Sequence, residues 1–251
     1  MRNLPAFALI STLMTMGCSA PLELQQNKEN DVTGYTLYAH AMFAEPVFDR
    51  DVNALSKAFS NRLGSSRSTA KFGYTSNALK RPSPKNVNTA IAQVSTKARD
   101  GTDVVIVFLT THGTEGLLAV KSSANEKVVG VSADALNDFL KPAQNDQQII
   151  ILQACYSGSL IKGLRHPNRI IITAAAADRT SFGCSPDSRN TWFTKAMIAA
   201  LPKANSWSEV FASTKSKVLK YEAQQGIRKS DQSNPQHFVG RNMKNVWTQG
   251  F

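Results

Sequence analysis

Three runs of unbroken apolar residues set the limits on this fold: Val104-Val105-Ile106-Val107-Phe108-Leu109, Ile149-Ile150-Ile151-Leu152 and Ile170-Ile171-Ile172. None alternates apolar with polar, so each reads as a strand covered on both faces, the mark of a parallel sheet between helix layers. Each also stops abruptly at small or polar residues: Thr110-Thr111-His112-Gly113, Gln153-Ala154-Cys155-Tyr156-Ser157-Gly158 and Thr173-Ala174-Ala175. The carboxyl edge of such strands is where open α/β sheets carry their chemistry.

Helical patterns separate the runs. Tyr35-Thr36-Leu37-Tyr38-Ala39 predicts a first strand, and Val52, Leu55, Phe59 and Leu63 recur at helical spacing after a loop containing Pro46, ending at Gly64. A short strand is expected around Lys71-Phe72. Asn86 can cap a helix with Val87, Ile91, Val94 and Ala98 on its apolar face, and Ser132 one through Leu136, Phe139 and Leu140. A hairpin-like excursion fills Leu117 to Val131. Trp192 to Leu201 and Trp207 to Tyr221 read as helices, the latter opened by a Ser206/Glu209 capping box. The alternation predicts one α/β domain over residues 35–251, a mostly parallel sheet with helices on both faces.

The first residues stand apart. Arg2 precedes an apolar stretch from Leu4 to Met16, a secretory signal too short to span a membrane. Gly17-Cys18 resembles a bacterial lipoprotein box, with residues 1–18 as the signal segment and Cys18 as the lipidation site. Ser19 after the Cys resembles the outer-membrane sorting pattern. The expected location is the bacterial cell envelope, as an outer-membrane lipoprotein facing the periplasm, with secretion as the alternative. Residues 19–34 are polar and read as a tether.

Charge and cysteine content narrow the function classes. The 29 Lys+Arg against 18 Asp+Glu give a formal +11, but the excess is scattered through the last third and no basic-aromatic motif accompanies it. A solvated face is the reading, with no nucleic-acid partner. Cys18, Cys155 and Cys184 are too few and too dispersed for a metal site or a disulfide framework, and no cofactor is called for.

His112 and Cys155 each end their own apolar strand, with a crossover helix between them. Parallel strands share a carboxyl edge, so both side chains emerge on one rim. A lone His or Cys at a strand end is more often structural; the pair suits nucleophilic catalysis. His112 can assist formation of the Cys155 thiolate and protonate the leaving amine, while the N–H groups of Gly113 and Cys155 can form an oxyanion hole.

Gln153-Ala154-Cys155 with His112 upstream fits the caspase signature in outline. Ala154-Cys155-Tyr156-Ser157-Gly158-Ser159 is closer to the legumain (asparaginyl endopeptidase) family, peptidase C13, which shares the caspase-type fold and carries Ala-Cys-Glu-Ser-Gly-Ser here. Leu109-Thr110-Thr111-His112-Gly113, the stretch from Thr173 to Cys184, Thr191-Trp192-Phe193 and Asn234-Pro235-Gln236 resemble its bacterial branch. The resemblance implies a cysteine endopeptidase acting on a peptide or protein substrate through an acyl-enzyme, resolved by water or, in a transpeptidase, by an amine. It implies Gln153, Ser181 and Arg50 as substrate-binding residues. Legumains differ in having Glu at Gln153, Arg near Asp49, and near Val47 an Asn that orients the His. Their Asn preference is therefore not transferred, and a non-catalytic peptide-binding lipoprotein of the same fold is the alternative. His40, His166 and His237 are expected to be structural or surface residues. Cys184 is read as a packed or mildly exposed loop thiol, with pairing to Cys155 as the other option. Because the sequence ends soon after Trp247, the C-terminal inhibitory domain of plant and animal legumains is expected to be absent.

Overall fold

The computed structural model describes residues 34–63, the backbone of 69–72, and 103–250 apart from 122 and 124, with a few isolated positions besides. The signal segment, Cys18, the tether up to residue 31, Gly64 and most of the helix expected from Asn86 lie outside these residues.

Burial of apolar runs on both faces produces a six-stranded sheet. Its strands are β1 (Gly34–Ala41), β2 (Thr69–Phe72), β3 (Asp103–Thr110), β7 (Gln147–Gln153), β8 (Arg169–Thr173) and β9 (Gln236–Val239), in the order β2-β1-β3-β7-β8-β9. All neighbours pair in parallel except β8 and β9. The alternation of strand side chains divides the core in two. Leu37, Ala39, Val104, Ile106, Phe108, Ile149, Ile151, Ile170 and Ile172 face one layer. That layer holds α1 (Pro46–Leu63), α4 (Trp192–Ala200) and α5 (Trp207–Gln224). Tyr38, Val105, Val107, Leu109, Ile150, Leu152 and Ile171 face the other, with α2 (Ala133–Leu140) and α3 (Ile161–Leu164). A short α6 (Lys244–Thr248) follows β9. A second sheet of β4 (Gly113–Thr114), β5 (Leu117–Val120) and β6 (Val129–Val131) makes the excursion after His112.

Most helix signals are realised as read. Ser132 Oγ accepts from Ala135 N at 3.3 Å and Ser206 Oγ from Glu209 N at 3.3 Å. Glu209 Oε2 accepts from Asn205 N at 2.9 Å, one residue before the usual capping-box partner. Pro46 departs from expectation. It is not in a loop but opens α1, where its missing N–H costs nothing and its fixed φ suits the first turn. Val47 and Phe48 thereby join Val52, Leu55 and Phe59 on the buried face.

Candidate active site

The β3–β7 register aligns Thr110 with Gln153, so His112 and Cys155 each stand two residues past the last paired position, on one rim. Thr111 N–H continues the ladder by donating to Gln153 O at 3.0 Å. Gly113 follows because the two strand ends converge. A Cβ there would lie 2.4 Å from Cys155 O and 3.1 Å from Ala154 Cβ, so only glycine admits this approach. The close approach is thus to the backbone of Cys155 itself.

Tyr156, just after the cysteine, is left-handed (φ 55°, ψ 14°). Its N–H donates to Arg179 O at 2.7 Å, and its carbonyl accepts from Ser159 N at 2.9 Å and Ser159 Oγ at 2.5 Å. Gly116 N–H in turn donates to Ser159 Oγ at 2.8 Å, tying the turn to the β4–β5 hairpin. A sharp turn thus ends the strand and leaves Cys155 at the rim.

Cys155 is half-buried and held by one residue. Ser181 N–H donates to Sγ at 3.2 Å, and the thiol donates to Ser181 O at 3.4 Å. Burial raises the thiol's pKa above its ordinary value, opposed by the N–H groups of Ser181 and of Cys155 itself. His112 has different neighbours. Its Nε2 lies 3.0 Å from Glu45 Oε2, and the ring meets Phe43 and Phe48 edge-on at centroid distances of 4.8 and 5.0 Å. Cys184, beside the imidazole, does more than any other group to raise its pKa; burial lowers it and Glu45 raises it further. No hydrogen bond joins His112 to Cys155, a common feature of substrate-free sites. The segment Ser181–Cys184 touches both residues, Cys155 through Ser181 and His112 through Cys184.

Among the expected substrate-binding residues, Gln153 and Ser181 are brought together: Ser181 Oγ donates to Gln153 Oε1 at 3.1 Å, both residues buried. Arg50 is engaged elsewhere. Its guanidinium donates to Pro186 O and, at 3.1 and 2.6 Å, to Ser188 O. Beside it Asp51 is fully buried and accepts from Thr191 N, Thr191 Oγ1, Thr194 Oγ1, Asn190 Nδ2 and Thr110 Oγ1 at 2.7–3.2 Å. Arg50 and Asp51 thus fasten the loop after Cys184 to α1. Sequence reasoning passed over Glu45 and Asp51; an acidic residue before a helix-opening proline, and one on the apolar face of a helix, were the available signals. Of the remaining histidines His40 is buried, and His237 stacks on Trp247 at 4.8 Å. Among the described residues no group of three His, Cys, Asp or Glu could hold a metal ion.

The model of the peptidase C13 family matches residues 83–245. The chain belongs to that family. No curated protein sequence matches it. Among solved structures, caspase-1 from Spodoptera frugiperda superposes on this C13 chain with a TM-score of 0.57, covering 88% of this chain and 89% of that one, at 16% identity. At that identity the likeness is one of fold, and the fold is caspase-like.

Proposed function

We propose that this C13 protein is a cysteine endopeptidase with Cys155 as nucleophile and His112 as acid/base. The observation that carries the reading is the Thr110–Gln153 register, which sets both residues equally far along one rim with Gly113 against the Cys155 backbone. Cys155 gives its proton to His112 and its sulfur attacks the scissile carbonyl carbon. The oxyanion takes hydrogen bonds from the N–H groups of Gly113 and Cys155, and the imidazolium passes its proton to the departing amine. Water then hydrolyses the thioester; an amine in its place gives transpeptidation.

The pair Gln153–Ser181 supports a choice of side chain before the scissile bond. Since Ser181 spends its proton on Gln153 Oε1, the amide's N–H groups are what Gln153 can still offer a substrate, which favours a carbonyl or carboxylate acceptor: Asn, Gln or Asp. Arg50 acts at one remove, by holding the loop at Pro186 and Ser188.

The absence of a hydrogen bond between His112 and Cys155 favours one other reading, a peptide-binding protein without turnover. A peptide-library cleavage profile with wild type and Cys155→Ala separates them. Cleavage at acceptor side chains, lost in Cys155→Ala, is expected; undiminished cleavage by the variant refutes the reading.

The apolar segment ending at Gly17-Cys18 supports attachment to the cell envelope by a lipid on Cys18. Among the described residues no helix is long and apolar enough to cross a membrane. Membrane association unchanged in Cys18→Ser would refute the anchor.

A further inference from the structure

A general acid/base must keep one heading while its proton comes and goes. For His112 that constraint comes from one short stretch, Phe43 to Phe48. Phe43 and Phe48 stand edge-on to the ring at interplanar angles of 87° and 89°, leaving it little room to rotate about Cβ–Cγ. Between them Glu45 sets Oε2 3.0 Å from Nε2. Glu45 is fixed in turn: its N–H donates to Phe43 O at 2.8 Å, its carbonyl accepts from Phe48 N at 3.1 Å, and Pro46 after it begins α1. These bonds fix the backbone from which the Glu45 side chain reaches the ring.

We propose that Glu45 is the positioning residue of His112, holding Nε2 toward the carboxylate and balancing the charge when the ring takes a proton. The inference rests on the acid/base reading of His112. In legumains an Asn near the position of Val47 orients the histidine; here Val47 is fully buried in the core and cannot. Glu45 replaces it from two residues upstream, with a negative charge that an amide lacks.

Other groups around the ring are accounted for. Cys184 approaches from the loop after β8, and Cys155 lies across the rim. Lys121, just after β5, stands 5.7 Å from the Phe43 centroid, on the ring that flanks the imidazole. Glu45 is the carboxylate in contact with the imidazole. The pair is part-exposed, with side-chain exposures of 34% for His112 and 27% for Glu45, so solvent and salt weaken its charge term without removing its directional hydrogen bond.

The test uses the full chain with Glu45→Gln and Glu45→Ala. Gln keeps an oxygen that accepts from Nε2–H but carries no charge, whereas Ala removes both. Two readouts require no peptidase activity: the titration of His112 Cε1–H by NMR, and the rate of Cys155 alkylation by iodoacetamide, resolved by peptide mass from Cys18 and Cys184. Removing the carboxylate destabilises the imidazolium, so in Glu45→Gln the His112 midpoint falls. The alkaline limb of any peptide cleavage moves to lower pH with it. Glu45→Ala slows Cys155 alkylation at neutral pH by about tenfold or more and lowers kcat rather than raising KM. A His112 midpoint unmoved in Glu45→Gln overturns the inference, as does cleavage by Glu45→Ala at the wild-type kcat. If the midpoint moves while wild type cleaves nothing, the Glu45–His112 pairing stands and the peptidase reading falls.

Discussion

Asp51 and Thr191 are joined twice: Oδ1 accepts from the Thr191 N–H at 3.0 Å and Oδ2 from its hydroxyl at 2.7 Å. The link connects α1 to the residue that caps α4, where Thr191 Oγ1 also accepts from Thr194 N at 3.4 Å. A single buried carboxylate thus positions the loop that carries Ser181 and Cys184 away from the sheet. Asp51→Ala strands several buried donors, and a loss of about 2–4 kcal/mol is expected. Urea denaturation measures it. Asp51→Asn keeps the shape but turns donors toward donors, and should recover little of that loss.

His112 makes stability depend on pH. Its folded pKa is raised, through Cys184 first and Glu45 besides, against the opposing effect of burial. A raised value means the folded state holds the proton more tightly. The contribution is therefore fully present below the ordinary histidine pKa and is lost as pH climbs through the higher folded value. Melting temperatures across that interval should fall in wild type and lose the dependence in His112→Ala.

Burial raises the Cys155 thiol, so without substrate it remains largely protonated at neutral pH. Its alkylation by iodoacetamide should still be accelerating at pH values where an ordinary thiol has fully ionised. A plateau at the ordinary thiol pKa would contradict this.

Gly113→Ala places a methyl group 2.4 Å from Cys155 O. The strand ends must separate, at a cost of about 1–3 kcal/mol, and alkylation of Cys155 should change its pH dependence as the thiol shifts against Ser181. Denaturation and alkylation on one preparation report both effects.

The left-handed Tyr156 offers a complementary change. Tyr156→Val puts a β-branched residue at φ 55° and should cost about 1–2 kcal/mol, while Tyr156→Gly accepts the conformation. Chemical denaturation ranks the pair, with Gly the more stable.

Much of this was legible in the residues because the decisive signals are local. Unbroken runs such as Ile149 to Leu152 read as strands since nothing else buries both faces, and Ser132 and Ser206 cap helices through contacts three residues long. His112 and Cys155 could be paired because each closes its own run. What escaped depends on contacts distant in the chain. Glu45 meets His112 across 67 positions, and Asp51 meets Thr191 across 140. Nothing at Arg50 signals that its guanidinium will be taken by carbonyls at 186 and 188. The antiparallel arrival of β9 is set by the path of the chain after α5, and local composition is silent about it.

The pairing of Thr110 with Gln153 has a further consequence for a newly made chain. A slip of one residue between β3 and β7 would turn each strand's core side chains to the wrong face and set His112 and Cys155 out of step. Misfolded chains would then be both unstable and inert. On the proposed chemistry, competence to cut would arrive only with completed assembly, so an unfinished chain would be harmless to its neighbours and to itself.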